Sequence, residues 1–127
     1  RDWGYAPDYV KAMEMMCFGD FNDDFVVATN NIITVREFFE KSAEFLGYSP
    51  VFEGKETKEV CIDKKTNKII MKVDEKFYRP LEVDYLQGDY SKINSILGWK
   101  PETSIDQIIE KMISFDLDNF NNNVFFI

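Results

Sequence analysis

Apolar residues recur at helical spacing from Ala6 to Phe18, where Tyr9, Val10, Met13, Met16 and Cys17 form a stripe that predicts a first helix with that stripe turned to a core. Pro7 suits its first turn, where a missing N–H costs nothing. Phe25-Val26-Val27-Ala28-Thr29 is short, continuous and β-branched, the pattern of a strand buried on both faces, and Asn30 and Asn31 end it. Thr34 and Glu37 have the spacing of a capping box, which starts a second helix with Val35, Phe38, Phe39, Ser42 and Leu46 inward. Gly47 stops it, and Pro50 follows. Residues 51–58 carry no clear pattern. Val60-Cys61-Ile62 and Ile69 to Val73 flank Asp63 to Lys68, where Asn67 can adopt a left-handed turn conformation, so a hairpin is predicted. Ser91 to Leu97 reads as a short helix closed by Gly98, and Pro101 holds Lys100 extended. Ser104 and Gln107 form a second capping box. It opens a last helix to about Leu117, with Ile105, Ile108, Ile109, Met112 and Ile113 as a one-sided core stripe. Asn119 to Asn123 is expected to fray, and Val124 to Ile127 could dock on a partner.

At 127 residues and 45% hydrophobic, the chain can build one core. Lys and Arg total 15 against 23 Asp and Glu, a net charge of −8, which disfavours nucleic acid and anionic membranes as partners. No apolar run approaches the roughly 20 residues of a membrane span. Two distant cysteines and no histidine make a metal site remote, and they fit two buried thiols in a reducing, cytoplasmic setting. The first residue is Arg1 rather than Met, inside a segment that already reads as structured, so the chain is expected to be a fragment.

The missing chemistry is informative. Without histidine there is no Ser-His-Asp or Cys-His arrangement. The six glycines are too scattered for a dinucleotide or Walker loop, and no tyrosine has a lysine four residues on. Asp23-Asp24 and Asp116/Asp118 read as solvated groups of an acidic surface. No catalytic residue, cofactor cradle or metal ligand is therefore assigned to this chain.

Only three of the fifteen basic residues are arginine. Arg79 stands between Phe77-Tyr78 and Pro80, with an extended backbone and aromatic neighbours, and its guanidinium matches a phosphate with two parallel hydrogen bonds. Glu82, three residues on, can accept from the vicinal hydroxyls of a sugar, so the pair could read both halves of a nucleoside diphosphate. A surface ion pair of Arg79 with Glu75, Glu82 or Asp84 fits the same spacing. Arg1 could be a second phosphate contact or a loose terminus, Arg36 reads as solvated, and Trp3 and Trp99 read as packing residues.

Three stretches, Arg1-Asp2-Trp3-Gly4-Tyr5-Ala6-Pro7-Asp8-Tyr9-Val10, Tyr78-Arg79-Pro80-Leu81-Glu82-Val83-Asp84-Tyr85-Leu86-Gln87-Gly88-Asp89 and Leu97-Gly98-Trp99-Lys100-Pro101, resemble the carboxy-terminal part of the GDP-mannose 4,6-dehydratases, which are extended short-chain dehydrogenases/reductases. The resemblance runs from Arg1 to about Phe120. It implies an α/β fold: the carboxy-terminal, substrate-binding part of such an enzyme, helices with short strands and a hairpin, with the Rossmann half absent from this chain. Residues 1–120 would be a GDP-sugar-binding domain fragment and 121–127 an asparagine-rich, apolar tail.

The resemblance further implies conversion of GDP-mannose to GDP-4-keto-6-deoxymannose, towards GDP-fucose. C4 is oxidised by hydride transfer to NADP, water leaves across C5 and C6, and the hydride returns to C6. NADP and the catalytic groups would sit in an amino-terminal Rossmann part, leaving this chain inactive alone. By the same resemblance Arg1 and Arg79 contact the GDP diphosphate and Glu82 the guanosine ribose. The implied partners are GDP-mannose, the Rossmann part and further copies in a dimer or tetramer. A non-catalytic nucleotide-sugar-binding or regulatory module, or a plain interaction domain, are the other readings.

Overall fold

Helix α1 spans Ala6–Phe18, with Pro7 in its first turn as the sequence predicts. Its buried face matches the predicted stripe only in part. Asp8 and Ala12 are buried and Tyr9 and Met16 pack beside them, whereas Val10 and Met13 are 58% and 56% exposed. Cys17 is also exposed, contrary to the expectation of two buried thiols, and only Cys61 is buried. The computed structural model describes residues 1–20, 22–79, 83 and 85–121. Glu82 and the 124–127 segment lie outside the described residues.

The chain divides into two compact units, one of residues 1–35 and 85–127 and the other of residues 36–84. The core of the first is Ala12, Ile93 and Trp99, with Phe25, Val27, Tyr90 and Leu97 packed against it. The run Phe25 to Thr29 supplies apolar side chains to this core but forms no strand. The only ladder contact in the unit, among the described residues, is the isolated bridge between Asp2 and Ile32. Val26 is 55% exposed, so the run is not buried on both faces either. A strand-like composition needs a neighbouring backbone to pair with before it becomes a strand.

Helix α3 (Ser91–Leu97) ends as predicted at Gly98, whose φ of +73° favours glycine and whose N–H donates to the Asn94 carbonyl at 2.8 Å. The capping box at α4 (Ile105–Asn121) is closed both ways: the Ser104 N–H donates to Gln107 Oε1 at 2.8 Å and the Gln107 N–H to Ser104 Oγ at 3.3 Å. Ile108 and Ile109 are buried, but Met112 of the predicted stripe is exposed. The helix also runs on through Asn121, where fraying was expected.

In the second unit, α2 (Val35–Phe45) ends in a Schellman motif, with the Gly47 N–H donating to the Glu44 carbonyl at 2.8 Å and the Tyr48 N–H to the Ala43 carbonyl at 3.0 Å. Ala43 is its buried residue. Phe38, Phe39 and Ser42 are half-buried, while Val35 and Leu46 of the predicted inward face are exposed. Strand β1 (Pro50–Glu53) runs from Pro50 into the unpatterned stretch and pairs antiparallel with β2 (Val60–Asp63), and β2 pairs with β3 (Lys68–Lys72) in the order β1-β2-β3. The predicted hairpin is β2-β3, with Asn67 at φ +56°. Arg36 is not simply solvated: its guanidinium stacks over the Phe52 ring at 4.9 Å and pairs with Glu59.

The hairpin turn is organised by Asp63, which is buried. Its Oδ1 accepts from the Ser49 N–H at 2.9 Å, and its Oδ2 accepts from the Thr66 hydroxyl at 2.7 Å and the Thr66 N–H at 3.1 Å. The Thr66 hydroxyl and the Ser49 amide hold this carboxyl below its ordinary 3.8, against the opposing effect of burial. At Asp8 burial pushes the carboxyl up, but the Thr103 hydroxyl, the Thr103 and Glu102 amides and Lys11 together outweigh it, so it too lies below 3.8. A carboxyl with a lower pKa folded than unfolded adds stability that is complete above its ordinary pKa and is lost as the pH falls through the folded value. Urea midpoints are therefore expected to hold down to about pH 5 and to fall below about pH 4, and Asp63→Asn should flatten that fall.

Candidate functional site

Arg1, Asp2 and Trp3 form an extended arm held against residues 32 and 33. The Ile33 N–H donates to the Arg1 carbonyl at 3.2 Å, and Trp3 Nε1 donates to the Ile33 carbonyl at 3.2 Å. Arg1 is half-buried. Beside it, the Asp2 carboxylate gathers four donors. Oδ1 accepts from the Thr29 N–H at 2.8 Å and the Thr29 hydroxyl at 2.5 Å, and Oδ2 accepts from the Asn30 N–H at 3.0 Å and the Gly88 N–H at 3.1 Å.

Asn30 adopts a φ of +57°, and Gln87 Nε2 donates to its carbonyl at 2.9 Å and to its side-chain oxygen at 2.7 Å. Gly88 lies so close to Ala28 that a Cβ on it would sit 2.2 Å from the Ala28 Cβ. Glycine is required there by space, since only hydrogen fits between the two segments. This cluster of Asp2, Thr29, Asn30, Gln87 and Gly88 was missed from the sequence, although Asp2 and Gln87-Gly88 fall inside the stretches that carry the resemblance. The one available signal was an aspartate directly following a candidate phosphate-binding arginine.

The same unit holds a cleft of about 240 Å³ lined by Trp3, Thr29, Asn31, Ile33 and residues 101–105. Asp8 and Trp99 support residues 99–103. The Asp8 carbonyl accepts from Trp99 Nε1 at 2.8 Å, and its carboxylate accepts the N–H groups of Glu102 at 3.1 Å and Thr103 at 2.9 Å. Burial, with the charges of Asp2 and Asp8, pushes the Tyr9 phenol up, so it stays protonated. Burial also pushes the Cys61 thiol up, which leaves it a packing residue rather than a nucleophile.

In the second unit Arg79 follows a short 3₁₀ segment, Glu75–Phe77, whose start is capped by Asp74 Oδ1 accepting from the Lys76 N–H at 2.9 Å. Phe77, Tyr78 and Arg79 are all exposed. Arg1 and Arg79 thus belong to different units, and each is placed by its own local structure. No helix among the described residues is long and apolar enough to cross a membrane.

Residues 1–112 match the family model described as GDP-mannose 4,6 dehydratase. The chain is 47% identical, over 97% of its length, to a protein of Cricetulus griseus named GDP-mannose 4,6 dehydratase. It is 40% identical over 96% to the protein of that name from Dictyostelium discoideum, and 40% identical over 92% to one from Yersinia enterocolitica. It covers 33%, 34% and 34% of these three, so it spans about a third of the length of the curated relatives it matches. With arm and Arg79 segment both inside the matched residues, the chain belongs to the GDP-mannose 4,6-dehydratase family.

Proposed function

We propose that the chain is the GDP-sugar-binding part of a dehydratase that converts GDP-mannose to GDP-4-keto-6-deoxymannose and water, on the way to GDP-fucose. The enzyme would be a hydro-lyase of the extended short-chain dehydrogenase/reductase class. The observation that carries this reading is 47% identity sustained over 97% of the chain to a protein bearing that name. Arg1 and Arg79 contact the diphosphate, and Glu82 accepts from the guanosine ribose.

NADP belongs elsewhere in this reading. The six glycines, at positions 4, 19, 47, 54, 88 and 98, are too scattered along the sequence for a dinucleotide-binding loop. Cofactor and proton-transfer groups are assigned to a Rossmann part outside these 127 residues, and the chain alone is inactive. The assembled protein is cytoplasmic and a dimer or tetramer. What this chain supplies is charge neutralisation and orientation of the nucleotide, which hold the sugar where the other part can act on it.

The test is calorimetric titration of GDP into the complete protein. Arg79→Lys is expected to weaken binding by about 1–3 kcal/mol, because an ammonium cannot reproduce two parallel bonds to a phosphate. An unchanged affinity would remove Arg79 from the diphosphate.

A further inference from the structure

The Arg1–Trp3 arm is held on one edge by residues 32 and 33, through the Asp2–Ile32 bridge and the bond from the Ile33 N–H to the Arg1 carbonyl. A second anchor is the Asp2 carboxylate, whose donors come from residues 29, 30 and 88. We infer that Asp2 is the positioning residue for Arg1: by accepting three backbone amides and one hydroxyl it fixes the backbone from which the guanidinium reaches the diphosphate. This rests on the role proposed for Arg1.

The chemistry of the pocket around Asp2 admits only a carboxylate. All four partners are donors, and each oxygen faces at least one backbone N–H that cannot be turned round. An asparagine of the same shape would have to aim its NH₂ at one of those N–H groups, which leaves two donors facing each other. Thr29 adds a second control. Its hydroxyl donates to Asp2 and accepts from the Asn31 N–H at 3.2 Å, so it couples the carboxylate to the turn that follows. Gly88 brings its N–H within reach only because it has no side chain to strike Ala28.

Steady-state kinetics of the complete protein with GDP-mannose test this. Asp2→Asn is expected to raise KM about tenfold while kcat changes less than about twofold, because the diphosphate is remote from the reacting carbons and its binding is uniform. Arg1→Met raises KM as well, and the double variant should raise it no further than Arg1→Met does, since one residue acts through the other. A fall in kcat at constant KM would mark Asp2 as a merely structural residue that lowers the active fraction, and a double variant with multiplied effects would show that it acts independently; either overturns the inference. If Arg1→Met raises KM and Asp2→Asn does not, the inference alone fails. If Arg1→Met leaves KM unchanged, the role of Arg1 itself fails and takes the inference with it. Where Asp2→Asn does not fold, Thr29→Val carries the test: KM is expected to rise about threefold and Thr29→Ser to restore it. No rise with Thr29→Val overturns the inference.

Discussion

Trp99→Ala is expected to lower the unfolding free energy by about 3–5 kcal/mol, the range for removing a large buried aromatic. Trp99 is 3% exposed, at the centre of the first unit's core. Its ring meets Tyr9 at 6.3 Å and Tyr90 edge-on at 6.0 Å, and such aromatic pairs add about 0.5–1.5 kcal/mol each beyond area burial. Two further bonds fix it, from its Nε1 to the Asp8 carbonyl and from Asn94 Nδ2 to its own carbonyl at 3.0 Å. Trp99→Phe separates the contributions: it keeps most of the packing and loses the indole donor, for an expected cost of about 1–2 kcal/mol. Urea unfolding of both variants measures the difference. A loss below about 1 kcal/mol for Trp99→Ala would contradict the burial of Trp99.

Ile93→Ala is expected to cost about 2–5 kcal/mol, through lost transfer free energy and the cavity left between Ala12 and Trp99. Its neighbour in the same short helix gives the internal control. Ile96 is 44% exposed where Ile93 is 0%, so Ile96→Ala should cost less than about 1 kcal/mol. Equal effects would mean that α3 is rotated about its axis from the orientation described.

That pair also shows what can and cannot be read from the chain. The bounds of α3 were legible because Gly98 terminates it by backbone conformation, a local property. Which isoleucine faces inward was not, since that depends on where the rest of the unit lies. Helix α1 makes the point more sharply. Pro7 betrayed its start, yet counting apolar residues put Val10, Met13 and Cys17 inside, and the buried line instead carries Asp8. A carboxylate can occupy that line because amides 94 and 95 residues away donate to it, and no local pattern reports such partners. The strand expected at Phe25 to Thr29 failed for the reverse reason, in that its composition was right but no backbone pairs with it among the described residues. Of the proposed contacts, Arg79 stood out as a rare arginine before a proline and Arg1 as another of the three arginines, ahead of any resemblance. Asp2 passed unnoticed because its donors lie 27, 28 and 86 residues away.

The close meeting of Gly88 and Ala28 reaches beyond packing, into how this sequence can change over generations. The two positions share room for a single methyl group, and at present residue 28 holds it. Were residue 88 to gain a side chain, residue 28 would have to give one up, or the segments would part and the Gly88 amide would leave Asp2. Mutational drift at either site is thus tied to the other, and what stands at 88 keeps a record of what stands at 28.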